Sequence, residues 1–370
     1  MPVRESLMMI IAGFVAALTA VFVFGEPAVG AANVPDGFTV SRVAKVGNPT
    51  AMAVAPDGRI FVAQKGGGLR IISNGTLKKQ PFAEFGVDSR GERGLLGVAL
   101  DPNFAANRFV YVYRTAAKPK VHNEVVRVRA NGDRMVPGSQ KVILRLNNLD
   151  AERHNGGAIH FGTDGKLYVA VGDNAREGSP QKLRNLFGKM LRINADGYIP
   201  RSNPFYKKAS GKNRTIWARG LRNPYSFAVR PGTGTVYIND VGAKRWEEIN
   251  RGVPGANYGW PIKEGPESAD RFRAPIHAYR HNGTPGGCAI TGGTFYDPAT
   301  AQFPAAYEGD YFFADFCGGY VRRYNPETDS VSGFATGLSQ PVNLQVGRDG
   351  SLYTLERGTG SVNEIQYTGR

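Results

Sequence analysis

A pair of short apolar stretches joined by a tight turn recurs along this chain. Apolar residues in these stretches tend to alternate with other residues, which is the period-two pattern of β-strands. Asp-Gly pairs at 57–58, 164–165 and 349–350 fall at the turns, where this dipeptide suits a β-hairpin. Six such units occur, at residues 48–64, 94–113, 156–171, 223–240, 292–316 and 340–356.

Each unit is followed by one or two further apolar stretches, such as residues 67–73, 124–130 and 189–194. Six four-stranded sheets built from repeated hairpins indicate an all-β, six-bladed β-propeller with antiparallel blades. A propeller protects its strand edges by closing the ring, and we expect residues 37–44 to pair with residues 363–369 for this purpose. A β-sandwich is the alternative, although it would rarely need six near-copies of one hairpin.

The first 32 residues have the pattern of a secretory signal peptide. Arg4 precedes an apolar run over residues 7–24, and small residues follow up to Ala31 and Ala32. An uncleaved membrane anchor is the alternative, since the run is nearly long enough to span a bilayer. We expect cleavage, export, and a single propeller domain over residues 33–370 with no integral membrane segment.

The chain is strongly basic, with a formal net charge of +15. Export, the lack of five consecutive basic residues and the lack of a recognition-helix or RNA-binding motif argue against nucleic acid as a partner. The charge would suit contact with anionic cell-wall polymers or acidic sugars. Solubility alone explains it equally well.

Cys288 and Cys317 are the two cysteines of the chain. Both lie in the part that we expect to be exported, and an oxidising compartment favours a disulfide between them. Two free buried thiols are the alternative. A zinc site would need four ligands in close pairs, which this spacing does not offer.

His154 and Asp173 lie at the two ends of the third unit that a hairpin brings to the same side. A carboxylate bonded to one imidazole nitrogen would fix the tautomer and leave the other nitrogen free to accept a proton. The glycines at 156 and 157 have no side chains and would let a flat ligand approach the backbone. Taken alone, His154 suits a structural role as well as that of a general base.

Five motifs in series link the chain to a known family. They are GLLGVALDPNF, HNGGAIHFGTDGKLYVAVGDN, FGKMLRINADGYIPRSNPF, IWARGLRNPYSFAV and GANYGWP. Together they resemble the glucose/sorbosone dehydrogenase family of secreted six-bladed propellers over nearly the whole chain after residue 32. Members of that family include soluble sugar dehydrogenases that use pyrroloquinoline quinone (PQQ) with calcium.

The resemblance implies roles for several residues. His154 matches the general base that takes the proton of a sugar hydroxyl while hydride passes to the quinone, and Asp173 matches the carboxylate that orients it. Arg222 matches the cation that polarises the quinone carbonyl. The resemblance also places Glu92, Asn223 and Tyr258 at the cofactor, and the backbone carbonyls of Gly242 and Ala243 at the calcium ion.

The chain departs from the PQQ enzymes in the residues that would neutralise the quinone. Glu92 replaces a common glutamine, the sixth unit has no arginine at its lead-in, and no lysine follows Lys263. Burying the three quinone carboxylates without cations would cost several kcal/mol. The candidate replacements, which the sequence does not place, are Arg153, Arg322, Arg323 and Arg357.

Two other features are similar to the Hedgehog-interacting-protein-like branch of the same superfamily, namely ERGLL at residues 92–96 and the cysteine pair. Propellers of that branch serve as binding modules. The sequence therefore predicts a secreted PQQ-dependent dehydrogenase acting on an aldose or related sugar. The alternative is a non-catalytic propeller that binds a glycan or a protein. A calcium-dependent hydrolase ranks below both, because no clear set of side-chain metal ligands is present.

Overall fold

Six antiparallel sheets follow one another along the chain in the computed structural model, which describes residues 32–267 and 270–369. The described residues are nearly all strand and loop, so the predicted all-β propeller is confirmed. The predicted signal peptide, residues 1–32, lies outside the described residues except for Ala32. Within the described part, none of the helices has the length and apolar character needed to cross a membrane.

The strands are grouped into blades in chain order, except that β1 (Phe38–Lys45) belongs to the sixth blade. Blade 1 contains β2 (Pro49–Val54), β3 (Ile60–Gln64), β4 (Gly68–Ser73), β5 (Thr76–Leu77) and β6 (Ala83–Glu84). Blade 2 contains β7 (Leu95–Leu100), β8 (Phe109–Ala116), β9 (His122–Asn131), β10 (Arg134–Met135) and β11 (Lys141–Asn148). Blade 3 contains β12 (Ile159–Phe161), β13 (Leu167–Val171), β14 (Lys189–Ile193) and β15 (Ile216–Arg219).

The second half of the ring repeats this arrangement. Blade 4 contains β16 (Pro224–Val229), β17 (Val236–Asp240), β18 (Trp246–Arg251) and β19 (His277–Arg280). Blade 5 contains β20 (Ile290–Phe295), β21 (Tyr311–Asp315), β22 (Tyr320–Asn325) and β23 (Ser330–Ala335). Blade 6 contains β24 (Pro341–Val346), β25 (Leu352–Glu356) and β26 (Ser361–Tyr367). The described helices are short: α1 (Phe104–Asn107) and the 3₁₀ turns Gly211–Thr215 and Ala305–Tyr307.

The first strand of each blade's hairpin is its inner strand, and the inner strands of neighbouring blades pack side by side. The order around the ring is β2, β7, β12, β16, β20 and β24, and β24 packs against β2 again. The ring is thus closed, with blade 6 beside blade 1. Blades 3 and 4 lie across the axis from blades 6 and 1.

The chain ends close the sixth blade as predicted. β1 pairs with β26 in antiparallel register from Phe38↔Tyr367 to Lys45↔Ser361. The N-terminal strand therefore completes a sheet whose other three strands come from the C-terminus. Pairing of this kind removes a free sheet edge, which would otherwise be open to other chains.

Aromatic side chains hold the closing strand against its neighbours. The ring of Phe38 lies edge-on to Phe303 at 4.8 Å and to Phe334 at 5.3 Å between ring centroids. Phe303 also stacks on Tyr296 at 4.4 Å. Aromatic pairs in such geometries contribute about 0.5–1.5 kcal/mol beyond the burial of their surface. This cluster therefore ties β1 to blade 5 as well as to blade 6.

The loops that contain the sequence motifs lie on one rim of the ring. The segment entering each inner strand and the segment leaving the next strand lie at the same end of the hairpin. We call this end the upper rim. The turns with Asp-Gly at 57–58, 164–165 and 349–350 lie at the opposite end. The upper rim therefore holds the lead-ins and exits in which the sequence motifs occur.

A disulfide lies on the upper rim of blade 5. Cys288 precedes β20 and Cys317 follows β21, and the two are bonded with their Cα atoms 5.6 Å apart. The carboxylate of Asp315 accepts the backbone N–H groups of Cys288, Cys317 and Gly318 at 2.7–3.3 Å. The predicted disulfide is confirmed.

Candidate active site

His154 and Asp173 meet on the upper rim of blade 3. Nδ1 of His154 lies 2.7 Å from Oδ1 of Asp173. The Asp173 side chain is fully buried, whereas 12% of the His154 side chain is exposed. With Nδ1–H donating to the carboxylate, the lone pair is at Nε2, which forms no hydrogen bond with a described residue. The pair therefore has the geometry of an oriented general base.

Three further hydrogen bonds hold Asp173 in place. The backbone N–H of Ala175 donates to Oδ1 at 2.7 Å, and the indole Nε1–H of Trp260 donates to Oδ2 at 2.9 Å. The backbone N–H of Asp173 itself donates to the carbonyl of Arg222 at 2.7 Å. Both carboxylate oxygens are therefore occupied, and the carboxylate is fixed relative to blades 3 and 4.

Trp260 was not singled out from the sequence, although it belongs to the NYGWP motif. It lies in the loop between β18 and β19 and reaches back to blade 3. Its backbone N–H donates to the carbonyl of Gly220 at 2.9 Å, and its carbonyl accepts Nε2 of Gln181 at 2.8 Å. The sequence signal that could have identified it is a tryptophan between a glycine and a proline in a loop. A tryptophan that is buried there needs an acceptor for its indole N–H.

The backbone of His154 adopts an unusual conformation that its neighbours stabilise. Its φ is +55°, in the left-handed region that non-glycine residues rarely occupy. Oε2 of Glu92 accepts its N–H at 2.6 Å, and Asn174 donates to its carbonyl at 3.1 Å. A Cβ on Gly172 would lie 2.2 Å from that carbonyl oxygen, so the close approach needs glycine. Glu92, predicted at the cofactor, is placed by the structure on the His154 backbone.

Arg222 contacts Trp260, the residue that donates to Asp173. Its guanidinium carbon is 5.6 Å from the centroid of the Trp260 ring, and its Nη1 donates to the carbonyl of Val241 at 3.0 Å. The carboxylate of Asp240 accepts the backbone N–H groups of Arg222 and Asn223 at 2.7–3.2 Å. The lead-in to blade 4 is therefore anchored, and its cation lies next to the group that holds Asp173.

Asn223 and Tyr258 differ in what they can offer a ligand. Oδ1 of Asn223 accepts the N–H of Gly156 at 3.1 Å, while no described residue accepts from its Nδ2. The hydroxyl of Tyr258 donates to the carbonyl of Arg251 at 2.8 Å and accepts the N–H of Val253 at 3.1 Å. Asn223 thus keeps a free donor, whereas Tyr258, which is 4% exposed, offers only its ring.

Gly242 and Ala243, the predicted calcium ligands, lie in the loop after β17. Their N–H groups donate to Glu247 Oε1 at 3.3 Å and Glu264 Oε1 at 2.8 Å. No described residue donates a hydrogen bond to their carbonyl oxygens. Among residues 32–267 and 270–369, no three or more His, Cys, Asp and Glu side chains group into a metal site. A calcium ion on these carbonyls stays a prediction.

A small cavity beside this loop is bordered by three carboxyl groups. Asp240, Glu248 and Glu264 border it together with Arg222 and Lys263. Burial raises the pKa of Glu248 to about 7, and the charge of Glu264 adds to this. Burial and the nearby Glu248 raise the pKa of Asp240 well above its usual range. A bound cation would relieve this repulsion.

The central cavity opens at the upper rim, and we call this opening the mouth. Lys65, Glu92, Asn155, Tyr225 and Arg357 border it. Of the four arginines left open by the sequence, Arg357 is the one that borders the mouth. Arg323 lies on β22 and pairs with Asp310 near the opposite rim at 2.7 Å. Lys65 was not identified from the sequence, because nothing in its motif distinguishes it from a surface lysine.

Residues 46–363 match the family model described as Glucose / Sorbosone dehydrogenase. The chain belongs to the glucose/sorbosone dehydrogenase family. The predicted family resemblance is therefore confirmed, and the match covers all six blades except β1 and the last four residues of β26.

Relatives in this family include both enzymes and binding proteins. The chain is 32% identical over 236 residues to aldose sugar dehydrogenase YliI of Escherichia coli (strain K12), covering 62% of this chain and 63% of that protein. It is 29% identical over 248 residues to quinoprotein glucose dehydrogenase B of Acinetobacter calcoaceticus, covering 59% and 51%. It is 29% identical over 209 residues to the Hedgehog-interacting protein of Mus musculus, covering 49% and 30%. The matches thus span less than two thirds of each relative's length.

A solved structure extends the family likeness to the whole propeller. The chain superimposes on the crystal structure of an oxidoreductase (glucose dehydrogenase) from Thermus thermophilus with a TM-score of 0.78 at 31% identity. The alignment covers 89% of this chain and 99% of that one. The two chains thus share the six-bladed fold.

Proposed function

We propose that this family member is a secreted sugar dehydrogenase that oxidises a hydroxyl of an aldose or related sugar, with PQQ as its cofactor. The observation that carries the proposal is the His154–Asp173 pair, with Nε2 of the histidine free and Arg222 beside it. The names of the aldose sugar dehydrogenase and quinoprotein relatives support the same reaction class.

The side chains of the upper rim fit a flat, polyanionic quinone in charge and in donor type. At the mouth, Lys65 and Arg357 outnumber Glu92, whose carboxylate is already bonded to the N–H of His154, and Arg222 adds a cation in the lead-in to blade 4. The Nδ2 donor of Asn223 is also available. When bound, PQQ would supply a two-electron acceptor for the hydride that leaves the sugar carbon. Arg222 and Asn223 are the residues of blade 4 that would hold it.

The residues of the chain account for the proton in this reaction. Nε2 of His154 would accept the proton of the sugar hydroxyl as the C–H bond breaks, because its lone pair is free and its ring is oriented. The resulting imidazolium would be stabilised by the buried carboxylate of Asp173. That carboxylate keeps its place because Ala175 and Trp260 donate to it.

Calcium would bind at the loop after β17 in this proposal. The carbonyl oxygens of Gly242 and Ala243 are hard ligands of the kind calcium prefers. The buried carboxylates of Asp240 and Glu248 lie near enough to favour a cation electrostatically. Calcium would therefore favour the ionised forms of these two carboxyl groups.

The direct test uses residues 33–370 with PQQ and calcium. Dye reduction is followed across a panel of aldoses for the unaltered protein, for His154→Ala and for Lys141→Ala, an exposed position on β11. We expect activity that His154→Ala abolishes and Lys141→Ala leaves unchanged. Failure to bind PQQ at micromolar concentration would overturn the proposal.

The second candidate is a non-catalytic propeller that binds a glycan or a protein. It is favoured by the likeness to the Hedgehog-interacting protein and by Glu92, which stands where PQQ enzymes commonly have glutamine and bonds to the His154 backbone. Binding of glycans by a protein that takes up no PQQ would support this candidate.

A further inference from the structure

We infer that Lys65 and Arg357 form an anion subsite on the mouth, at the junction of blades 1 and 6, which binds a carboxylate of the quinone. The inference rests on the proposed function and identifies which residues of this chain take the place of the cations missing from the sixth lead-in. No motif of the sequence points to this pair, which is brought together by closure of the ring.

The two cations occupy equivalent positions in adjacent blades. Lys65 is the first residue after β3, and Arg357 is the first residue after β25. Each therefore leaves the second strand of its blade on the upper rim. Both border the mouth of the central cavity, on the side opposite blades 3 and 4.

Neither cation is neutralised by a described carboxylate. Nζ of Lys65 donates to the carbonyl of Ser89, and Nε of Arg357 donates to Oδ1 of Asn48 at 3.2 Å. Asp88, which attracts Lys65 at longer range along with Glu152, is itself paired with two arginines. The remaining N–H groups of both cations are free to bind an anion.

The two cations also lie close enough to repel each other. Burial, followed by repulsion from Arg357, lowers the pKa of Lys65 below its usual value. Two like charges on one wall of a cavity repel each other, and an anion bound between them would offset this repulsion. The two cations therefore favour a bound anion and do not neutralise each other as the partners of an ion pair would.

Lys65 and Arg357 lie across the ring axis from the polar groups of blade 4. This arrangement favours a ligand with polar groups at both ends. Arg222 and Asn223 lie in the lead-in to blade 4, across the axis from blade 1. A planar molecule lying over the mouth would meet donors from blade 4 at one end and Lys65 with Arg357 at the other. A tricarboxylate quinone has this distribution of charge. A uronic acid sugar would present the same carboxylate chemistry, and the experiments below distinguish it from the quinone.

The test measures equilibrium binding by calorimetry with PQQ and with its trimethyl ester. The variants are Lys65→Gln, Arg357→Gln and the double variant. The controls are Lys141→Gln and Arg134→Gln, which remove equal charge from exposed positions of blade 2. Thermal melting of each variant establishes that it is folded.

We expect each site variant to weaken PQQ binding about tenfold or more and the controls to leave it within twofold. The ester should bind the unaltered protein weakly and should be insensitive to Lys65→Gln. Equal PQQ affinity in the unaltered protein and both site variants would overturn the inference and leave the proposed function standing. No PQQ binding by the unaltered protein would overturn the proposed function itself.

The acidic-sugar source is examined by kinetics on the same variants with D-glucuronate and D-glucose. Unchanged PQQ affinity together with a KM for glucuronate that rises tenfold, and not for glucose, would mean that the pair holds a sugar carboxylate. That result would also overturn the inference. Equal changes for both sugars, with weakened PQQ binding, would support it.

Discussion

Trp260 and Asp173, 87 positions apart in the chain, share a hydrogen bond of 2.9 Å from the indole N–H to Oδ2. The other carboxylate oxygen of Asp173 faces His154 at 2.7 Å, and the Trp260 ring also lies under the guanidinium of Arg222. One indole therefore contacts both the group that orients the proposed base and the proposed cation. The loop of blade 4 and the rim of blade 3 act as one assembly.

Trp260→Phe is expected to lower kcat about tenfold while leaving KM for the sugar nearly unchanged. The variant keeps a ring beneath Arg222 and removes only the N–H that fixes Oδ2, and a hydrogen bond to a charged group contributes about 1.5–3 kcal/mol. Steady-state kinetics measures the effect. Trp260→Leu, which also removes the ring, should lower kcat further. A Trp260→Phe enzyme with full kcat would show that Ala175 and His154 alone hold the carboxylate.

Asp173→Asn is expected to lower kcat by a factor of about 10³ or more with the fold retained. The amide is isosteric but cannot stabilise an imidazolium, and it permits the wrong imidazole tautomer. Kinetics across pH 5–9 checks this, and thermal melting checks the fold. Loss of activity with a melting temperature that collapses would instead assign Asp173 a mainly structural role.

Lys189→Met is expected to destabilise the protein by about 3 kcal/mol and to loosen the segment after Asp173. The buried ammonium of Lys189 donates to the carbonyls of Ser179, Pro180 and Phe187 at 2.6–3.2 Å. Burial lowers its pKa well below the usual range, yet three acceptors require the three N–H donors of the charged form. Urea unfolding measures the loss.

Hydrogen exchange of residues 174–188 locates the effect of Lys189→Met. The matched control is Lys182→Met, at an exposed lysine of the same loop. Faster exchange confined to the Lys189 variant is the expected result. Equal exchange in both variants would mean that the three carbonyls do not depend on the ammonium.

Asp88→Asn is expected to cost about 3 kcal/mol of unfolding free energy at pH 7, because it leaves the buried Arg93 without a counterion. Hydrogen bonds from Arg90, together with the charges of Arg90 and Arg93, hold the pKa of Asp88 well below its usual range. A carboxyl group whose pKa is lowered in the folded state stabilises the fold fully at pH values above its unfolded pKa of about 3.9. This stabilisation is lost as the pH falls from there toward the folded-state pKa.

The difference in unfolding free energy between Asp88→Asn and the unaltered protein should therefore be constant from pH 7 to about pH 5 and shrink below about pH 4. Urea titrations at several pH values measure it. The control is Asp57→Asn, an exposed carboxylate whose partner Arg59 also pairs with Asp133, so its loss should cost less than about 1 kcal/mol. A difference that grew on acidification would contradict the assignment.

Removal of the disulfide by Cys288→Ala with Cys317→Ala is expected to cost about 3–4 kcal/mol. The two cysteines are separated by 29 positions, and a cross-link of this span restricts the unfolded chain by about that amount in the loop-entropy model. Unfolding in urea with and without reductant measures the difference. Reductant should bring the unaltered protein to the stability of the double variant, which should not respond.

Much of the architecture could be predicted from local sequence. The Asp-Gly turns and period-two stretches identify the six hairpins, since turn geometry and strand alternation depend on neighbouring residues. The pairing of the chain ends follows from the need to cover an edge. The proximity of His154 and Asp173 follows from the hairpin between them.

The site residues missed by the sequence are those joined across blades. Trp260 contacts Asp173 from another blade, and Glu92 supports the His154 backbone from the lead-in to blade 2. Lys65 and Arg357 are 292 positions apart and meet only because the ring closes. None of these contacts follows from spacing along the chain, because spacing predicts only what lies within one hairpin.

The sequence alone thus determined the hairpin repeat, the family and the pair His154–Asp173, all of which depend on residues close in the chain or on motifs in series. The tertiary structure decided how the rim is charged and which donors hold the carboxylate. These properties depend on distances between blades, and electrostatic and hydrogen-bond energies fall off steeply with such distances. Ring closure sets those distances.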